Sequence, residues 1–418
     1  MLKRLLLLLL FCPLFARIQA QQPADKTGYS EERLARIDKI MEEYVHNHWL
    51  NGAVAFIYKN GQPIYQKAFG YDDPDKKTPM QKDAIFRIAS QTKAITSTAI
   101  LILYEEGKLL LDDPVSKYIP EFSKERVLDK YNAADTTYTT VAAKRDITIR
   151  DLLTHSSGIG YAEIGTPEMN AIYAKNNLHS GITALDASLL DRMKVLGSLP
   201  LQFQPGEKWM YGLNTDLLGC LVELISGVSL EEFIIKNICG PLGMKDTFFN
   251  LPKDRFSRLT SLISEDSLHH IIKWPAGFRG IDPKTPEITK HYFSGGAGLC
   301  STAADYGIFL QTILNGGIYN GHRILSPRTV EMMTSGQLDF LFNGTDNFGL
   351  GFGIVTDKGA IASPLNKGSF YWGGYFGTGY WADPREKLVC LFMTQQSPNS
   401  HGDLGDKFKA LVYQALTD

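Results

Sequence analysis

The strongest constraint on this chain is that its strand-forming segments lie near its two ends. Gly52 to Tyr58 is rich in strand formers, Asn60-Gly61 is a strong hairpin turn, and Ile64 to Phe69 returns as a second strand. Strand character then lapses until Gly351–Val355, and continues through Ser369–Trp372, Tyr380–Asp383 and Leu388–Thr394. Front and back strands must therefore pair across everything between them. That predicts an α+β architecture: one antiparallel sheet flanked by helices, with a large, mostly helical lobe inserted in the chain. A catalytic site would lie in the groove between the two.

The intervening sequence reads as helix. Thr92 to Glu106, ended by Gly107, is the first such run, and Ile149–Leu153, Leu185–Leu196, Leu217–Ile225 and Leu230–Ile238 follow. Long polar stretches, Asn132–Arg145 and Pro275–Lys290, read as connections. One helix opens after Ser30, with Leu34, Ile37, Met41, Tyr44 and Val45 on one face, and Lys407–Leu416 reads as a last helix. The expected division is residues 21–77 with 296–418 as an α/β sandwich, and residues 78–295 as a helical domain carrying the nucleophile.

Residues 1–20 read as a secretory signal. Lys3-Arg4 is a basic start, Leu5–Phe15 an apolar run, and Ala16–Ala20 a small-residue end, with cleavage expected after Ala20. The apolar run is shorter than the ~20 residues a bilayer span needs, so the chain is expected in a periplasm or outside the cell, without a membrane span. Losing residues 1–20 removes Lys3, Arg4 and Arg17 and no acid, leaving 40 Lys and Arg against 45 Asp and Glu. No basic run occurs, which argues against nucleic acid as a partner. Cys220, Cys239, Cys300 and Cys390 lie in or beside apolar stretches without metal-ligand spacing, and read as buried thiols; Cys220 with Cys239 is the one pair worth testing as a disulfide. No metal or cofactor is called for.

Three segments can carry chemistry. Ser90-Gln91-Thr92-Lys93 opens a helix whose apolar face is Ala94, Ile95, Thr98, Ala99 and Ile102. Positions i and i+3 share a face, so hydroxyl and amine can meet, and the positive helix end favours developing negative charge. Tyr211 sits in a glycine-punctuated loop, Pro205 to Gly219, just before an apolar helix, where a phenolate beside a lysine can accept a proton. Tyr371-Trp372-Gly373-Gly374-Tyr375 ends a strand with glycines that allow close approach of a ligand and can present a backbone N–H to an oxyanion. Each is weak alone; S-x-x-K arises about once by chance in a chain this long. Rival hydrolase designs are missing from the sequence: there is no Gly-x-Ser-x-Gly and no His-Glu-x-x-His, and His269-His270 is an isolated pair.

Together the three resemble the serine β-lactamase and penicillin-binding-protein superfamily, and most of all the class C β-lactamases with their relatives, the family VIII carboxylesterases and D-aminopeptidase-type enzymes. Phe86–Ala89, Thr148–Gly158, Pro241–Met244 and Gly295–Leu299 followed by Ser301 resemble that family too. The resemblance implies a β-lactamase/D,D-peptidase-like fold and an acyl-enzyme on Ser90. Lys93 and Tyr211 would share proton transfer, and the N–H groups of Ser90 and Tyr375 would form the oxyanion hole. Trp372, Gly373, Gly374 and Asn214 would bind a small ester, lactam or peptide. It leaves His155 and Arg87 structural. Two departures matter. Asn214 stands three residues after Tyr211, not two, and Trp372-Gly373-Gly374 replaces the family's Lys-Thr-Gly; the literal Lys26-Thr27-Gly28 precedes the first helix and reads as a decoy. Loss of that lysine removes a partner for a substrate carboxylate, and points to neutral or apolar esters rather than β-lactams or D,D-peptides. A catalytically silent sensor on the same scaffold is the reading from another class. The sequence leaves the oligomeric state open.

Overall fold

The structure is a computed structural model that describes residues 28–178, 180–182, 187–339 and 341–417. The expectations that rest on residues 1–20, on Lys26 and Thr27, and on Leu185 lie outside the described residues.

Ser30 caps the first helix, Glu31–His46, by accepting the Arg33 N–H at 3.3 Å. Leu34, Ile37, Met41 and Tyr44 form its buried face, with Val45 at the margin. Strands Gly52–Lys59 and Gln62–Asp73 then make the expected hairpin. Asn60 and Gly61 both adopt the left-handed conformation (φ 53° and 76°) that a tight hairpin turn requires.

Front and back of the chain do pair. Gly52–Lys59 lies antiparallel to Leu388–Thr394, with Ala53 opposite Thr394 and Lys59 opposite Leu388. The full sheet has eight strands in the order Asp346–Phe348, Gly353–Val355, Phe370–Gly373, Gly379–Asp383, Leu388–Thr394, Gly52–Lys59, Gln62–Asp73 and Thr78–Pro79. Every residue of Gly52–Lys59 is buried, because both sheet faces are covered. Val54, Phe56 and Tyr58 enter a core shared with Ile95, Leu217 and Phe309. Ala53, Ala55 and Ile57 enter a second core with Leu34, Ile37 and Phe408, under the first helix and the last, Leu404–Tyr413. A strand buried on both faces loses the polar–apolar alternation that marks a half-buried one.

The Thr92–Glu105 helix is buried from Thr92 to Leu103, and so on all sides rather than on the one face its pattern suggested. The polar stretch Asn132–Arg145 is not a plain connection: Arg126–Asn132 and Thr137–Ala142 pair as a second hairpin, largely exposed. Tyr138, Thr139, Thr140 and Val141 are strand formers, but with neither face buried they leave no periodic signal. The helix expected from Leu185 begins, among the described residues, at Leu189 and ends at Gly197. Cys220, Cys239, Cys300 and Cys390 are all free and buried. No helix among the described residues is long and apolar enough to cross a membrane.

Candidate active site

Ser90 occupies a single 3-10 turn, Ala89–Gln91, that runs straight into the Thr92–Glu105 helix. The preceding Ala89 has φ 43°, a left-handed conformation that is strained for a residue with a Cβ. It is held there by complete burial in a cluster with Leu262, Trp274, Ile281 and Phe376. Ser90 itself stays half-exposed.

Lys93 follows one helical turn later and is 2% exposed. Its Nζ donates to Ser90 Oγ at 3.3 Å, to the Tyr161 hydroxyl at 3.0 Å and to the Gly296 carbonyl at 2.7 Å. Nζ thus has three oxygen partners, and the pair meets as the i, i+3 spacing implied. Nζ also lies 4.5 Å from the centroid of the Tyr211 ring, a cation–π distance. Tyr211 is delivered by the loop before the Asn214–Ser226 helix. That loop packs so closely on the Ile159–Gly160 backbone that a side chain at Gly212 would overlap it. The Tyr211 hydroxyl accepts the indole N–H of Trp372 at 3.2 Å.

Trp372 belongs to strand Phe370–Gly373, and beyond it Gly374 abuts the Ser90 turn. A Cβ at Gly374 would overlap the Ile88 carbonyl, so only glycine lets the strand end approach so near Ser90. Tyr375 follows in the turn closed by the Gly377 N–H to the Gly374 carbonyl at 3.0 Å. Its hydroxyl accepts a hydrogen bond from Arg279, an exposed cation at this rim. Aromatic rings wall the site. The Tyr211 ring centroid lies 4.9 Å from His155, 5.5 Å from Trp372 and 6.0 Å from Trp209, and Phe348 stands 5.3 Å from Trp372.

Asn214 requires a correction. It is fully buried, and its amide is committed internally. Nδ2 donates to His155 Nδ1 at 2.9 Å and to the Ile159 carbonyl at 3.3 Å, and Oδ1 accepts from Ser157 Oγ at 2.5 Å. At three residues past Tyr211 it begins the helix and points inward, where it braces the His155 segment and offers no face to a substrate. His155 is buried and structural in this sense. Burial, and then the Lys93 charge, push its pKa well below the usual histidine value, so the ring is neutral at pH 7. Arg87 is likewise turned away from the site: its guanidinium donates to the Thr260 and Pro283 carbonyls and to Gln395 Oε1.

Two residues at the lysine were not singled out from the sequence. Tyr161 is buried, and burial foremost, then Tyr211 and Asp216, push its pKa well above the ordinary phenol value. It stays protonated as a neutral partner of Lys93. Asp216 is fully buried, accepts from Ser294 Oγ at 2.5 Å, and has its pKa raised by burial against the opposing pull of Ser294 and Lys93. The one available signal for Tyr161 was its position just after the glycine-punctuated Ser156–Gly160 segment.

A strained serine turn, a lysine one helical turn on and a tyrosine over that lysine bring together the residue types that a nucleophile with adjacent proton carriers requires. A family model described as Beta-lactamase matches residues 37–414, and this chain belongs to that family. It is 35% identical to Protein Rv1367c of Mycobacterium tuberculosis (strain ATCC 25618 / H37Rv), over 84% of this chain and 87% of that protein. It is 30% identical to Esterase EstB of Burkholderia gladioli, over 88% of this chain and 93% of that protein. Its fold is similar to that of EstCE1, a hydrolase with promiscuous acyltransferase activity, with a TM-score of 0.79 and 25% identity over 91% of this chain and 99% of that one. The resemblance read from the motifs holds at the level of family and fold, and the chain is a serine hydrolase of the β-lactamase fold.

Proposed function

We propose that this protein is an exported carboxylesterase for small or apolar esters, working through an acyl-enzyme on Ser90. The observation that carries the reading is Trp372, which the motif resemblance sets where the family has a lysine and whose indole donates to the Tyr211 hydroxyl inside an aromatic wall. In the proposed cycle one member of the Lys93–Tyr211 pair stands deprotonated, Ser90 Oγ attacks the ester carbonyl, and the serine proton passes to that member. The N–H groups of Ser90 and Tyr375 receive the developing oxyanion. Collapse expels the alcohol, which takes that proton, and attack by water on the acyl-serine returns Ser90 and releases the acid. Export rests on the signal read in residues 1–20.

Intact-mass labelling by a fluorophosphonate tests the nucleophile: one adduct is expected on the wild type and none on Ser90→Ala. Substrate class is tested by kcat/KM for p-nitrophenyl butyrate against nitrocefin, with Trp372→Lys alongside. A charge-assisted hydrogen bond contributes about 1.5–3 kcal/mol, so Trp372→Lys should improve nitrocefin hydrolysis by one to two powers of ten. Faster cleavage of nitrocefin than of the ester by the wild type would overturn the esterase reading and shift attention to Arg279 as the carboxylate partner.

A further inference from the structure

Beside the segment that leads into Ser90 lies a cavity of about 30 Å³, walled by Arg87, Lys290, Asp282, Cys300, Thr285 and Phe376 among others. Arg87 and Lys290 are each only 8% exposed. The acceptors of both are neutral. Arg87 donates to two carbonyls and to the Gln395 amide oxygen, and its Nε has no partner. Lys290 Nζ donates one hydrogen, to the Phe249 carbonyl at 2.6 Å. No carboxylate among the described residues comes within 4.0 Å of either cation. Four acids act on the two cations from farther off: Asp72 accepts the Ser261 N–H at 2.8 Å, Glu231 the Phe249 and Asn250 N–H groups at 3.0 and 2.8 Å, the exposed Asp282 of the cavity wall the Lys284 N–H at 2.8 Å, and Glu287 stands beyond ion-pair distance of Arg87. Burial lowers the pKa of Arg87 and of Lys290, and the Arg87 charge lowers that of Lys290 further.

Buried charges are normally paired, and two of one sign beside a void are costly. The space is large enough for a water or a monatomic ion. We propose that this cavity binds a small inorganic monoanion of the size of chloride, held between the guanidinium of Arg87 and the ammonium of Lys290. The site joins three segments that build the active centre. Arg87 leads into Ile88-Ala89-Ser90 and pairs in register with Cys300. Ala297 and Gly298, also in the cavity wall, directly follow Gly296, whose carbonyl holds Lys93. Phe376 follows Tyr375. An anion in place would tie these segments together, independently of which ester the enzyme cleaves.

The test is thermal melting of the wild-type protein as sodium chloride replaces sodium gluconate at constant ionic strength. Chloride should raise Tm saturably, on the order of 2 °C, and bromide should do the same. Lys290→Met should remove the dependence, and a crystal soaked in bromide should show an anomalous peak between Arg87 and Lys290. Superimposable melting curves in chloride and gluconate, an equal chloride response in Lys290→Met, or a cavity holding only water in the bromide map would each overturn the proposal. If Lys290→Met fails to fold, the wild-type salt series and the anomalous map decide the question without it.

Discussion

Tyr161→Phe removes one hydroxyl and separates the roles of two tyrosines that both face Lys93. Tyr161 is the hydrogen-bond partner, at 3.0 Å from Nζ, whereas the Tyr211 hydroxyl is turned to Trp372 and its ring faces the ammonium. Tyr161 is held protonated by burial; at neutral pH it cannot act as a base, so its work is to hold Lys93 in line with Ser90. The variant keeps the ring and takes away one of the three oxygen partners of the buried Lys93 Nζ. A hydrogen bond to a charged group contributes about 1.5–3 kcal/mol. At about 1.4 kcal/mol per tenfold, kcat/KM should fall roughly ten- to a hundredfold. Tyr211→Phe removes a proton carrier instead, and should cost about 10²–10⁴. Both variants are measured with p-nitrophenyl butyrate on protein shown to be folded by its melting curve, with the rate of fluorophosphonate acylation as a readout of nucleophile activation alone. Tyr211→Phe should be the slower enzyme in both. If Tyr161→Phe is as inactive as Ser90→Ala while Tyr211→Phe stays within tenfold of wild type, the two roles have been assigned the wrong way round.

Gly374→Ala should cost at least tenfold in kcat/KM, because the new methyl overlaps the Ile88 carbonyl and pushes the strand end from Ser90; wild-type kinetics in that variant would show that the close approach is dispensable. Glu125→Gln tests a buried acid. Burial, against the opposing Ile147 N–H, raises the Glu125 pKa from 4.5 to about 8. Between those values the folded state holds a proton that the unfolded chain has released, so this group lowers stability as pH rises through that window. Glu125→Gln should therefore melt at least about 2 °C higher than wild type near pH 8.5, with the difference vanishing near pH 4; an equal Tm at the alkaline end refutes the assignment. If the proposed export holds, mass spectrometry of the protein recovered from the periplasm or the medium should find a mature N-terminus near Gln21, and retention of residues 1–20 would contradict the signal reading.

What could be read from the amino-acid order alone was governed by interactions within a few residues. Asn60-Gly61 specifies its turn through two left-handed backbone positions, and Ser30 its helix start through one side-chain cap. Ser90 and Lys93 meet because one helical turn brings them together. The pairing of front strands with back ones was also legible, since each set needs a partner and the sequence between them reads as helix. The largely exposed hairpin Arg126–Asn132 with Thr137–Ala142 was not, because it buries little beyond Val127 and so leaves no periodic pattern. Nor was the division of labour around the lysine. Tyr161 and Tyr211 each lie next to a glycine, Gly160 and Gly212, and only packing decides that the first gives Lys93 a hydroxyl and the second gives it a ring. Asn214 looked like a substrate ligand until the helix it begins turned its amide onto Ser157 and His155. Arg87 and Lys290 lie far apart in the chain, and nothing in either neighbourhood says that their charges share one cavity. Local rules act over a turn of backbone, whereas the surroundings of a charge are set by segments that folding gathers from the whole chain.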